Sequence, residues 1–323
     1  MQYRPVFAAL LLFTSLSNNT FAQSKGPIAP IPNVTIKKSM VMASLGDSIT
    51  AGAFADTAAT LPTSFFPGLF NLLNLTEVFR QKAIETLVEN KELWSWASGV
   101  GVSSHFMRLK KYLKSTTGSN DLQVVNMAVS GSVASDVVEQ ARHFATAMME
   151  SPSTEIKYVT ILIGANDTCD GVSPEETASS MEKAFDVLAS IPQKKPVRIL
   201  VSSVPQIDQL GENKIKKHIT GNFLLSCEVV RSKLLKFCNN ITHWSNDSEH
   251  EANAMKVQQT NLLLESSVNA ARLKHANLDI QFSNALSQED LKFNVLASDC
   301  FHPNIAGHQQ IAEKLWNDQP WFK

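Results

Sequence analysis

Three residues from opposite ends of the chain have the side chains that serine hydrolases use. Ser48 lies in the segment ASLGDSIT (residues 43–50), where an apolar run gives way to Gly and Asp. Asp299 and His302 lie three residues apart near the C-terminus. A serine hydroxyl is a weak nucleophile at neutral pH, and a histidine base held in one tautomer by a carboxylate can activate it. Together the three residues predict nucleophilic attack on an acyl carbonyl.

Two further segments supply groups that can stabilise an oxyanion. Each is an apolar, strand-like run that ends in a turn, namely VVNMAVSG at residues 124–131 and ILIGAND at residues 161–167. Sites in open α/β sheets form at the carboxyl ends of the strands. Backbone N–H groups and side-chain amides are uncharged donors suited to an oxyanion. We therefore expect an oxyanion hole made by the N–H groups of Ser48 and Gly131 and by the side chain of Asn166.

In this order, the four blocks resemble the GDSL, or SGNH, hydrolase family. The letters S, G, N and H correspond in turn to Ser48, Gly131, Asn166 and His302, and Asp299 is then the acid. The segments SWASG (residues 95–99) and DCFH (residues 299–302) are most similar to the phospholipase B and lysophospholipase branch. The resemblance implies a three-layer α/β/α fold of SGNH-hydrolase type with a mostly parallel five-stranded sheet. It also implies an acyl-enzyme on Ser48 and no metal or organic cofactor.

Apolar runs alternate with helical patterns along the chain, which favours a parallel sheet covered on both faces. Strands are predicted at residues 41–45, 122–129, 158–163, 197–204 and 278–282. Helices are predicted at residues 106–113, 174–188, 254–273 and 305–316, and a helical insertion is predicted over residues 54–120. The α/β-hydrolase fold is rejected because Ser48 has no Gly-x-Ser-x-Gly frame and follows the first strand.

The first 22 residues have the pattern of a secretory signal peptide. Arg4 precedes a short apolar core at residues 6–13, and Thr20 and Ala22 place small residues at the two positions that determine cleavage after Ala22. This core is shorter than the ~20 residues that a membrane-spanning helix needs. We therefore expect an extended, proline-containing lead-in at residues 23–38 and a hydrolase domain at residues 39–323. The protein should be secreted, or periplasmic if its host is a Gram-negative bacterium.

The chain has four cysteines, Cys169, Cys227, Cys238 and Cys300. An even number in an exported chain suggests two disulfides. Cys169 and Cys300 both lie beside the predicted site, which favours a Cys169–Cys300 bond and leaves Cys227–Cys238 to close a short loop. Three pairings are compatible with the sequence, which does not choose among them. There is no Cys-x-x-Cys pattern, so no metal site is predicted.

Composition bears mainly on the partners of the protein. The formal net charge is −1, so no basic surplus points to nucleic acid. No obligate protein partner is inferred.

Two apolar stretches, residues 61–70 and 93–96, could line an acyl-chain groove or make transient contact with a membrane surface, while core packing is the simpler explanation for any one residue. The basic residues Arg108, Lys110 and Lys111 fit anionic lipid and a solvated helix face equally well.

These features lead to three hypotheses. The first is an exported acyl hydrolase that releases fatty acid from phospholipids or lysophospholipids, with acyl transfer to other alcohols as an additional outcome. The second is a general carboxylesterase or carbohydrate deacetylase, which would use the same reaction on other esters. The third is a catalytically inert secreted binding protein, against which the complete Ser–Gly–Asn–His–Asp set argues. Acyl-chain preference separates the first two, and a serine-directed phosphonate probe tests the third.

Overall fold

A computed structural model of the chain describes residues 29–56, 92–219 and 225–323. The predicted signal peptide, the apolar stretch at residues 61–70 and the greater part of the predicted helical insertion lie outside the described residues. The part of the lead-in from residue 29 onwards has no helix or strand before Met40.

Five strands form one parallel sheet in the described part of the chain, in the order β2-β1-β3-β4-β5. The strands are β1 Met40–Gly46, β2 Leu122–Asn126, β3 Glu155–Leu162, β4 Val197–Ser202 and β5 Leu278–Ser283. Every residue of β1 is buried, as expected of a parallel strand that is covered on both faces. The predicted α/β class and the five-stranded sheet are confirmed.

Nine α-helices surround this sheet within the described ranges. They are α1 Ser48–Ala51, α2 His105–Thr117, α3 Ala134–Met149, α4 Ala165–Asp170, α5 Pro174–Ala189, α6 Asn213–Lys216, α7 Asn239–Thr242, α8 Asp247–Lys274 and α9 Ile305–Asp318. Short 3-10 helices cover Glu92–Trp94, Ile207–Gly211 and Phe293–Val295, and a π-helix covers Val229–Leu235.

Alternate residues of the strands face two separate apolar layers. On one side, Val41, Ala43 and Leu45 of β1 belong to a core that α3, α5 and α8 complete. On the other side, Met40 and Met42 pack in a second core with α2 and α9. The molecule therefore has the three layers that the family resemblance implied, with helices on both faces of the sheet.

Helix boundaries differ from the sequence prediction where side-chain caps extend the helix. Helix α8 begins at Asp247, seven residues before the predicted start, because the Asn246 side chain accepts a hydrogen bond from the N–H of Glu249 at 2.9 Å. Helix α2 is longer than predicted at both ends, since Ser104 caps its start and Gly118 ends it in a left-handed conformation. Apolar periodicity finds the buried middle of a helix and misses such polar ends.

The predicted disulfide pairing is wrong. The bonds join Cys169 to Cys238 and Cys227 to Cys300, rather than Cys169 to Cys300 and Cys227 to Cys238. The segment at residues 227–238 supplies one cysteine to each site loop, because Cys238 bonds Cys169 and Cys227 bonds Cys300. The carbonyl of Cys169 also accepts a hydrogen bond from the side chain of Asn240, which holds α7 against α4.

Within residues 29–56, 92–219 and 225–323, none of the helices combines the length and the apolar character that crossing a bilayer requires.

Candidate active site

The turn that carries Ser48 is built around a glycine. Gly46 ends β1 with a φ of +146°, and a Cβ placed there would come within 2.3 Å of the carbonyl oxygen of Leu162. Only glycine fits this conformation and this close approach. The Asp47 side chain then accepts a hydrogen bond from the N–H of Ile49 at 2.9 Å and caps α1. Ser48 is thereby fixed as the first helical residue, whose N–H has no partner within its own helix.

A continuous chain of hydrogen bonds joins Ser48, His302 and Asp299. The Ser48 hydroxyl lies 2.8 Å from Nε2 of His302, and Nδ1 of the same ring lies 2.5 Å from Oδ2 of Asp299. The other carboxylate oxygen accepts the N–H groups of Phe301 and His302, at 3.1 Å each. The side chains of Ser48, His302 and Asp299 are all buried. This geometry lets the imidazole take the serine proton while the carboxylate holds its tautomer.

Aromatic rings fix the plane of the His302 imidazole. Phe54 stacks on it with ring centroids 4.8 Å apart and planes 10° from parallel. Phe237 and Phe301 contact it by their edges, with centroid distances of 5.7 and 5.1 Å. Phe54 has a φ of +61°, which is uncommon for an aromatic residue. Sequence reasoning missed Phe54 and Phe237, because nothing in their local sequence marks them as neighbours of His302.

The other two predicted oxyanion donors follow β2 and β3, the strands on either side of β1. Gly131 follows β2 with a φ of +83°, and Asn166 lies in the first turn of α4 behind Gly164, whose φ is +112°. One N–H of the Asn166 amide donates to the carbonyl of Ser132 at 2.9 Å. The amide has a second N–H for a substrate oxygen. Gly131 and Asn166 are both partly exposed.

Two buried carboxyl groups flank the site without belonging to the chain of bonds. Burial raises the pKa of Asp47 to about 7, and its Oδ2 has no hydrogen-bond partner. Burial also raises the pKa of Asp167 to about 6, although this carboxyl accepts bonds from the N–H of Ala134 and from the hydroxyl of Thr177. Asp167 therefore joins α4 to the starts of α3 and α5 and supports the helix that carries Asn166.

A buried cation lies in the surroundings of Asp299. Arg231 is 1% exposed, and its Nη2 donates to the carbonyl of Thr242 at 3.4 Å. Burial lowers its pKa to about 10, and the charges of Glu228 and Asp299 act in the opposite direction. The sequence gives no sign of this residue, because the π-helix that contains it has no recognisable pattern.

An apolar cavity of about 100 Å³ opens beside the site. Four of its lining residues are chain neighbours of the site residues, namely Ile49, Ala165, Phe301 and Pro303. Segments that follow β4 and β5 add Ile207, Leu210, Leu286, Leu291 and Leu296 to the apolar wall, and α9 adds Ile311. Glu289, Asp290, Lys292 and Lys314 add charged side chains to the lining. The apolar lining suits a hydrocarbon chain attached to the carbonyl that Ser48 would attack.

Other residues near the site have structural roles. Trp96 is fully buried and packs edge-on against His105, so it belongs to the core, whereas Leu93 is 49% exposed. His308 is buried, its Nδ1 accepts the N–H of Trp96 at 3.3 Å, and burial lowers its pKa to about 3. In the described residues, no three His, Cys, Asp or Glu side chains are grouped as ligands of a metal ion would be.

Comparison with known proteins identifies the family. The model of the GDSL-like Lipase/Acylhydrolase family matches residues 42–315, and the chain belongs to this family of ester hydrolases. The chain is 25% identical over 316 residues to human "Phospholipase B1, membrane-associated", with 86% of this chain and 19% of the relative covered. The mouse protein of the same name is 23% identical over 238 residues, with 65% of this chain and 15% of the relative covered. The chain thus spans less than a fifth of the length of these relatives.

One similar solved structure is a member of the lipolytic protein G-D-S-L family from Veillonella parvula, with a TM-score of 0.44 and 12% identity. The alignment covers 86% of this chain and 97% of that one.

Proposed function

We propose that the protein is an exported acyl hydrolase that releases fatty acid from phospholipids or lysophospholipids through an acyl-enzyme on Ser48. The observation that carries this proposal is the Ser48–His302–Asp299 chain of hydrogen bonds, together with an apolar cavity that chain neighbours of Ser48 and His302 line. His302 takes the hydroxyl proton as Ser48 attacks the ester carbonyl. It then returns the proton to the leaving glycerol oxygen, and water repeats the two steps on the acyl-enzyme.

The oxyanion of each tetrahedral intermediate is assigned to three donors. The N–H groups of Ser48 and Gly131 come from the turns after β1 and β2, and the Asn166 amide comes from the turn after β3. Asp299 accepts the hydrogen bond from Nδ1 of His302 and holds the imidazolium that forms during attack. None of these steps calls for a metal or an organic cofactor.

The preference for lipid rests on the cavity and on the relatives. Apolar side chains from four segments surround the cavity, and such a wall favours a fatty acyl chain over an acetyl group. The family relatives named Phospholipase B1 point in the same direction. A substrate of this kind sits in a lipid aggregate, so the protein would contact a membrane surface transiently. Acyl transfer to an alcohol other than water uses the same intermediate and belongs to the proposal.

Export is supported by two disulfides and by the predicted signal peptide. Disulfides persist in oxidising compartments, which suits a secreted or periplasmic enzyme.

The test is release of fatty acid by the purified protein from phosphatidylcholine, lysophosphatidylcholine and a series of p-nitrophenyl esters from acetyl to palmitoyl. We expect the rate to rise from acetyl to long chains, and Ser48→Ala to abolish turnover of every substrate. An acceptor alcohol in a parallel reaction measures acyl transfer. A rate that is highest for acetyl esters and acetylated sugars would replace the lipid proposal by the deacetylase alternative.

A change in the cavity wall tests whether the cavity binds the acyl chain. Leu291 is a partly buried member of this wall, so Leu291→Trp narrows the cavity. We expect this variant to lose about tenfold in kcat/KM on palmitoyl esters, the loss that about 1.4 kcal/mol of apolar contact represents, and to keep its rate on acetyl esters. Leu262→Trp is the matched control, because Leu262 is 58% exposed, lies on α8 and does not line this cavity. An equal loss on both esters would show that the cavity does not bind the acyl chain.

A further inference from the structure

A buried glutamine connects the loops on which the proposed chemistry depends. Gln140 lies in α3, is fully buried, and is 94 residues away from Gly46 in the sequence. Its Oε1 accepts the N–H of Gly46 at 2.8 Å, and its Nε2 donates to the carbonyl of Gly46 at 2.9 Å. The same Nε2 donates to the hydroxyl of Ser132 at 3.1 Å. Gln140 thus holds both backbone groups of one residue and the side chain of another.

The two residues that Gln140 contacts are next to the reacting groups. Gly46 precedes Ser48 by two positions, and its backbone sets the turn that carries the nucleophile. Ser132 follows Gly131 directly, and its carbonyl accepts the hydrogen bond from the Asn166 amide. The bonds Gly46–Gln140–Ser132–Asn166 therefore link the ends of β1, β2 and β3 into one network.

We infer that Gln140 is a positioning residue for the oxyanion hole. It sets the separation between the Ser48 turn and the loop of Gly131, and through Ser132 it fixes the orientation of the Asn166 amide. It acts through these residues and not on the substrate, because its own polar atoms are all bonded to protein. The inference rests on the proposed function of Ser48, Gly131 and Asn166.

The chemistry of the position requires glutamine. An acceptor must face the N–H of Gly46, while two donors must face its carbonyl and Ser132, and only a primary amide of this length offers both. Methionine has a similar volume and makes none of these bonds. A buried glutamic acid offers one donor when neutral, and when ionised it places a negative charge against the carbonyl of Gly46.

The central experiment compares Gln140→Met with Gln319→Met on a soluble short-chain ester. Gln319 is a matched control, because it is also fully buried and accepts the N–H groups of Trp321 and Phe322, but it lies at the far end of α9. We expect both variants to lose thermal stability, Gln140→Met more than Gln319→Met, because Gln140 makes three side-chain hydrogen bonds and Gln319 makes two. Gln140→Met should lose about 10- to 100-fold in kcat with KM within about twofold, since the oxyanion exists only after the ground state and ~1 Å of misplacement costs about 10²-fold. Gln319→Met should keep its kcat.

Two further variants keep the inference testable if Gln140→Met does not fold. Ser132→Ala removes the bond between Gln140 and the oxyanion loop and leaves both bonds to Gly46, and we expect a loss in kcat smaller than 10- to 100-fold. Where Gln140→Met does fold, the two losses should not be additive. Gln140→Glu should lose kcat progressively as the pH rises, relative to the parent protein, because its buried carboxyl ionises.

The outcomes separate this inference from the proposed function. A parent protein without esterase activity and without phosphonate labelling of Ser48 would refute the proposed function itself. An active parent with Gln140→Met at the same kcat, or with equal losses in Gln140→Met and Gln319→Met, would overturn the role of Gln140 alone. If Gln140→Met is not folded, an unchanged kcat in Ser132→Ala overturns it.

Discussion

Removal of the Cys227–Cys300 disulfide should lower both the free energy of unfolding and the catalytic rate, for two different physical reasons. The bond closes a loop of 73 residues, for which the chain-entropy relation gives about 4 kcal/mol of stabilisation through the unfolded state. Cys300 also directly follows Asp299 and lies two residues before His302, with a φ of +58°. Without the bond, the turn that carries the acid and the base loses its covalent attachment to residue 227.

The perturbation is the double substitution Cys227→Ala/Cys300→Ala. We expect its free energy of unfolding in urea to fall by up to about 4 kcal/mol. We also expect kcat/KM to fall by about 10²-fold under conditions where the variant is fully folded, because displacement of a catalytic group by ~1 Å has a cost of this size. Unfolding is followed by fluorescence, and activity is measured on a soluble ester at the same temperature.

The second disulfide provides a control for the loss of stability. Cys169–Cys238 spans 69 residues, so Cys169→Ala/Cys238→Ala should lose nearly the same stability. It supports α4 and Asn166, so its kinetic defect should lie in kcat. A folded Cys227→Ala/Cys300→Ala variant with the activity of the parent would refute the positioning argument. A loss of stability below about 1 kcal/mol would refute the entropy argument.

Two other predictions test individual groups of the site. Asn166→Ala should lower kcat by about 10²–10³-fold with little change in KM, because the amide is assigned to the oxyanion and not to the bound ester. Steady-state kinetics measure this, and a defect confined to KM would assign Asn166 to substrate binding. Asp47→Asn should flatten the dependence of stability on pH: the pKa of Asp47 is raised from 3.8 to about 7 in the folded protein, so its contribution to the free energy of unfolding decreases as the pH rises from about 4 to about 7. Urea unfolding at pH 5 and pH 8 measures this, with equal pH dependence in both proteins as the contrary result.

The fold and the meeting of the site side chains followed from the sequence for a topological reason. Apolar runs mark parallel strands, and the ends of such strands share one edge of the sheet, so Ser48, Gly131 and Asn166 had to lie near one another. His302 could be placed because its block had a recognisable pattern with Asp299. Their roles in catalysis stay a prediction until the variants are measured.

Other features could not be predicted, because they depend on contacts between distant segments. The cysteine pairing depends on where residues 227–238 pack, and no local pattern specifies this. Phe54 and Phe237 contact His302 across long sequence separations, and the three bonds of Gln140 exist only once α3 has packed against β1. Side chains that contact the site residues and not the substrate have no recognisable pattern in a single sequence.

The position of the apolar cavity separates two tasks that evolution can alter independently. Ser48, Gly131 and Asn166 stand on the turns after β1, β2 and β3, whereas most of the cavity wall comes from residues 205–210 and 286–296, after β4 and β5. Insertions or replacements in these two loops can change which acyl group fits while the attacking and stabilising groups stay in place. The substrate range of such an enzyme can therefore drift between relatives that share one reaction, and exchange of these loops is a direct route to redesigning chain-length preference.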